Sequence, residues 1–186
     1  SRGLGDVYKR QYVMRSSNLE GGFVSASPQA PANMRSDTLM RHFQAHAPHY
    51  GLNAATLLSP EPLSQYSRLA MLFSLLPSAP RSIAPQIFSW RPISYPGHFA
   101  ASQHPSKDFI ATAWRYAPCR AQFDAALIAL CETSVNAIAA LRLLIAHGKV
   151  HQARALCEAS AENIASKTAA ARNIAIAVDA GDFQGC

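Results

Sequence analysis

The stretch that decides the fold spans residues 119–180 and reads CRAQFDAALIALCETSVNAIAALRLLIAHGKVHQARALCEASAENIASKTAAARNIAIAVDA. It contains no proline, one glycine (Gly148) and one aromatic residue (Phe123), and alanine is its commonest residue. Alanine loses no side-chain entropy when it enters a helix, so this composition favours helix almost throughout. We therefore predict an all-α fold with long amphipathic helices, a helical hairpin or bundle, near residues 119–146 and 150–178.

Apolar residues recur at steps of three and four in the first part of this stretch, as they do on one face of a helix. Charged residues are few there, and a helix so poor in charge must cover more than one face, against other helices or an apolar surface. We therefore predict a surface-binding or oligomer-forming face made of Phe123, Leu127, Leu130, Ile138, Leu141 and Ile145.

Gly148 is the only helix breaker in the stretch, and it allows two interpretations. It can stand just after the end of one helix, so that an antiparallel partner follows. It can equally lie inside one long bent helix, at a cost of about 1 kcal/mol. The stripe after Gly148 consists mostly of small residues, which permit close helix approach but bury little apolar area each, so this segment needs a partner.

The rest of the chain divides into two regions. Residues 1–11 include DVYKRQ and resemble a translated sequencing adaptor, which indicates a non-native scar on a frame read from environmental DNA. Residues 12–118 contain all twelve prolines, from Pro28 to Pro118, and are predicted to be poorly ordered with short helices. Helices are expected from Asp37, from Ser59 and after Pro105, whereas residues 77–96 carry five prolines and are expected to be extended. The natural start and end of the protein are not fixed by the sequence.

Charge and cysteine content restrict the classes of function and location. The formal net charge is +6, but residues 119–180 are nearly neutral, which argues against a nucleic-acid-binding helix. The four cysteines form no CxxC pair and are expected to be buried thiols in a reducing compartment. No uninterrupted run of about 18 apolar residues and no signal peptide stand out, so we predict a cytoplasmic protein without a transmembrane segment.

Candidate catalytic and metal-binding motifs are weak. His42, His46 and His49 follow a helical spacing that zinc or nickel can use, but no Cys, Asp or Glu joins them locally and Pro48 interrupts the helix. His147 and His151 are separated by Gly148. The chain has no HExxH, GxSxG or glycine-rich phosphate loop. We predict no enzymatic activity, no catalytic residues, no metal site and no cofactor.

One resemblance points to a function. Phe123, the ALIAL run at 126–130, residues 137–144 and the RALCEASAENIAS run at 154–166 resemble the phasin family, whose members coat polyhydroxyalkanoate storage granules in bacteria. The similarity covers about residues 119–172. It implies a non-catalytic, homo-oligomeric protein that binds the granule surface through an amphipathic helix. The alternative is a soluble helical protein–protein interaction domain without a granule role.

Overall fold

The described part of the chain is mostly helical. The computed structural model describes residues 36–101 and 106–177, and within these ranges it contains seven α-helices, two short 3-10 helices and no strand. The predicted all-α fold class is thereby confirmed. Residues 1–35, which include the adaptor-like segment, lie outside the described residues.

The α-helices are α1 Ser36–His46, α2 Ser64–Leu75, α3 Pro80–Ser89, α4 Tyr95–Ala101, α5 Lys107–Arg115, α6 Arg120–Ala146 and α7 Val150–Ile176. The 3-10 helices are Ala47–Tyr50 and Glu61–Leu63. The two long helices lie within a few residues of their predicted positions. Short helices near Asp37, after Ser59 and after Pro105 are present as predicted.

Gly148 ends a helix and does not lie inside one. It has a left-handed backbone, with φ +67°. Its N–H donates to the carbonyl of Ile145 (3.0 Å), and the N–H of Lys149 donates to that of Leu144 (2.9 Å). These two bonds are the Schellman pattern, in which a glycine just past the helix satisfies carbonyls left over by the last turn. Three residues then connect α6 to α7, which is the loop length of an αα-hairpin.

The prediction of an extended segment over residues 77–96 is wrong. Helix α3 begins at Pro80, and α4 has Pro96 at its second position. In the first turn of a helix the backbone N–H has no partner within the helix, so neither proline removes a helical hydrogen bond. Pro85 alone lies inside a helix, on an exposed position of α3, where it removes a single helical hydrogen bond. Proline density was a poor guide here because most of these prolines occupy helix starts and connections.

The described residues form two compact units. The first comprises residues 36–59, 94–101, 106–120 and 176–177. Its interior is aromatic: the ring of Phe43 lies 5.3 Å from that of Phe109 and 5.4 Å from that of Tyr116. The ring of Tyr95 stacks on Trp114 at 5.6 Å, and its hydroxyl accepts a hydrogen bond from the Ser59 N–H at 2.9 Å.

The second unit contains α2, α3 and nearly all of the α6–α7 hairpin, from residues 60–93 and 121–175. Helix α2 contributes a buried stripe that includes Tyr66, Leu69 and Phe73. Arg142 joins α6 to the end of α3, because its guanidinium donates to the carbonyl of Phe88 (2.6 Å) and lies over the ring of that residue. The long hairpin therefore folds together with a segment about 60 residues earlier in the chain.

Candidate functional site

The structure places most of the predicted binding face in the interior. Five of the six side chains are buried, and Ile145 alone is substantially exposed. The buried five are Phe123, Leu127, Leu130, Ile138 and Leu141. In this conformation they cannot touch a granule or a second copy of the chain. The predicted periodicity is present in α6, but the face that it marks is buried in the core of the second unit.

Exposed apolar residues remain around the connection between α6 and α7. Leu143 is 62% exposed, Ile145 46% and Val150 74%. All three lie within five residues of Gly148, and we call this group the hairpin tip. Single exposed apolar residues are normal on protein surfaces and larger apolar patches mark contact sites, so three exposed apolar residues close together in sequence make the end of the hairpin a candidate site.

The charge around the hairpin tip has one sign. Between Glu132 and Glu158 the sequence contains three basic residues and no acidic one. Arg142 is held against Phe88, and Arg154 forms an exposed ion pair with Glu158 at 3.3 Å. Lys149 is therefore the basic side chain nearest the hairpin tip that has no such contact in the described residues. The hairpin tip is consequently apolar with a weakly basic border.

Helix α6 is apolar beyond its buried face. It contains an 18-residue window with a mean hydropathy of 1.6, of which only 33% is buried. By length and composition it is the one helix among the described residues that could cross a membrane, although the core helix of a soluble protein passes the same test. The sequence-based expectation of no transmembrane segment stays a prediction.

The buried face of α7 consists mostly of small side chains. Its buried residues are Ala153, Cys157, Ser160, Ile164, Thr168, Ala171 and Ala175. Buried hydroxyls are satisfied within their own helices: Ser134 donates to the carbonyl of Leu130 (2.8 Å) and Thr168 to that of Ile164 (2.6 Å). Such a surface packs closely but removes little apolar area from water, so the free energy that holds α7 is modest.

The cysteines within the described residues are buried free thiols, as predicted. Burial, with a smaller contribution from Glu132, raises the pKa of Cys131 to about 11. Burial and then Glu158 also raise the pKa of Cys157. Because the thiolate is the reactive form, neither thiol is prepared for nucleophilic chemistry.

The predicted histidine spacing produces a close pair and not a cluster of three. The rings of His42 and His46 lie 4.4 Å apart between centroids. His49 follows in the 3-10 helix and is exposed. Among residues 36–101 and 106–177, no group of three or more His, Cys, Asp or Glu side chains is arranged to hold a metal ion.

Comparison with known proteins adds no further assignment. No family model, curated protein or solved structure matches this chain. Leu143 and Val150 were missed as candidate binding residues because neither belongs to the stripe that predicts the α6 face. Their closeness to Gly148, the predicted turn, is the signal that could have identified them.

Proposed function

We propose that this chain is a non-catalytic helical protein of the bacterial cytoplasm that binds the surface of polyhydroxyalkanoate granules. The observation that supports it is a group of exposed apolar side chains, Leu143, Ile145 and Val150, at the end of a long hairpin. The proposed contact is the hairpin tip and not the inner face of α6. An apolar polyester needs no catalytic group from the protein, only side chains that leave water on contact.

The binding free energy of one hairpin tip is too small for firm attachment to a particle. Fully burying a side chain of this size contributes about 1.5–3 kcal/mol, and these three are already partly buried. Three such contacts supply roughly 3–5 kcal/mol, which corresponds to a dissociation constant near the millimolar range. Firm attachment then requires several linked copies, so the proposal includes a homo-oligomer whose tips bind together.

Opening of the hairpin is the second way in which the same chain can bind. If both α7 and residues 60–93 move away from α6, the five buried residues of the α6 face become available to the polymer. The small-residue face of α7 makes such an opening less costly than separation of two leucine-rich faces. Amphipathic helices lie on membrane interfaces in the same manner.

Co-sedimentation with polyhydroxyalkanoate particles tests the proposal. The double substitution Leu143→Asp and Val150→Asp should abolish binding. Its helix content, measured by circular dichroism, should stay unchanged. Met71→Asp with Leu75→Asp is the matched control, because these α2 side chains are 52% and 44% exposed in the same unit. Binding should persist from about 0.1 to about 1 M salt, since apolar contact does not depend on exposed ion pairs. Failure of the parent chain to bind would refute the granule role.

Thiol labelling separates tip contact from hairpin opening. Cys131 and Cys157 react slowly while they are buried and their pKa values are raised. Contact through the tip leaves their labelling rates unchanged on particles, whereas opening of the hairpin raises both. A rise for both thiols would assign binding to the α6 face and not to the hairpin tip.

A protein–protein interaction domain is the second candidate. It is favoured by Met71 and Leu75, which expose apolar surface on α2, away in sequence from the hairpin tip. Sedimentation velocity over a range of concentrations distinguishes the candidates. The second function is favoured if the parent chain forms oligomers but does not bind particles. The double substitution Met71→Asp and Leu75→Asp should then dissociate those oligomers.

A further inference from the structure

The histidine pair of α1 has a geometry that the proposed granule function does not use. His42 and His46 are four residues apart on one helix, so their side chains project from the same face. Their ring centroids are 4.4 Å apart and their planes are tilted by 40°. Two imidazoles at this separation can each present a nitrogen to one ion, with metal–nitrogen bonds of about 2.0–2.1 Å.

One hydrogen bond determines which nitrogen of His46 is available. Its Nδ1 lies 2.8 Å from the carbonyl oxygen of His42. A carbonyl oxygen can only accept, so Nδ1 carries the hydrogen and the lone pair of the neutral ring is on Nε2. Histidines that bind metals usually have this arrangement, in which a carbonyl or carboxylate accepts from the other ring nitrogen and orients the ring.

The helix that carries the pair is anchored by the aromatic residue that follows His42, and the rings of these two residues lie 5.9 Å apart. Phe43 is buried and contacts the rings of Phe109 and Tyr116. His46 is exposed and His42 is partly exposed, so an ion can reach both rings from solvent. Anchoring of α1 holds the two histidine positions at a fixed separation, which reduces the conformational freedom lost when an ion binds.

We propose that His42 and His46 form a two-histidine site for a divalent transition-metal ion of the nickel, copper and zinc group. Imidazole nitrogen is a ligand that suits these ions, and copper should bind most tightly by the general order of affinities. With two protein ligands, the remaining coordination positions hold water. The site is therefore an exchangeable surface site and not a closed structural one.

Titration of the metal-free full chain with Ni²⁺ alone tests the site, with isothermal calorimetry as the measurement. Because loss of even an outer-shell partner costs ten- to a hundredfold in affinity, His46→Gln and His42→Gln should each weaken the tightest binding by at least about tenfold. His147→Gln is the matched control. Its Nδ1 also lies 2.7 Å from a helical carbonyl, that of Leu143, but among the described residues it has no neighbouring histidine ring in contact.

A second measurement keeps the test valid if His42→Gln disturbs the fold. Ni²⁺ should raise the thermal midpoint of the parent chain and not that of His46→Gln, whose exposed side chain contributes little to packing. Unchanged affinity in both α1 variants would overturn the proposal. So would a loss of affinity in His147→Gln equal to the loss in His46→Gln.

Discussion

Single residues decide where the backbone turns. Gly148 takes φ +67°, and a side chain added there would meet nothing within 4 Å. The requirement for glycine is therefore conformational and not steric. Leu57 makes the contrasting case, because it takes φ 58° without being glycine and is completely buried. Burial of that leucine offsets the strain of a left-handed backbone, which costs about 1–2 kcal/mol.

Gly148→Ala should lower the free energy of unfolding by about 1 kcal/mol, since alanine is strained in the left-handed region. Urea denaturation followed by circular dichroism measures this change. Gly148→Asn is the control and should lose less, because asparagine tolerates that backbone conformation. Equal losses for alanine and asparagine, or none for alanine, would show that the Schellman turn does not restrict this position.

At the scale of elements, α6 is a core helix with an apolar outer surface. Its inner face is buried together with α2 and α3 in one compact unit, and Arg142 fixes its later part to Phe88. Its outer surface is mostly apolar, although Asn136 and Arg142 are exposed there. The difference between these two faces, and not the presence of the helix, decides which residues can bind a partner.

Leu130→Ala and Leu141→Ala should each destabilise the protein by about 2–5 kcal/mol, because both side chains are completely buried and their removal leaves a cavity. Leu143→Ala is the matched control on the same helix and should change stability by no more than about 0.5 kcal/mol. Chemical denaturation midpoints check all three. Similar, small effects at Leu130 and Leu143 would mean that the α6 face is not a core face.

At the scale of the whole molecule, the chain folds into two units from interleaved segments. The second unit joins residues 60–93 to residues 121–175, and the first unit uses residues from both sides of 60–93. Segments on both sides of residue 119 therefore belong to the same compact unit. The hairpin depends on a segment that the sequence gives no local reason to place beside it.

A fragment of residues 119–180 should accordingly be less helical than the same residues in the full chain, and should melt without a cooperative transition. Without residues 60–93, the large apolar side chains of α6 lose their covering, and α7 offers mainly small residues in return. Circular dichroism with temperature measures both properties. A fragment that melts cooperatively as a monomer would show that the hairpin is an independent unit.

The sequence alone determined the helical class and the ends of the long helices. Alanine content, the absence of proline after Pro118 and the single Gly148 act over a few residues, so local composition is enough to predict α6 and α7. Only the tertiary structure decided the environment of each face. A stripe of apolar residues has the same spacing whether it meets the chain's own core or water, so Phe123 and Leu130 could not be recognised as interior from periodicity. Their burial depends on a unit that includes residues 60–93, far away along the chain, whereas Leu143 and Val150 stay exposed in the same unit.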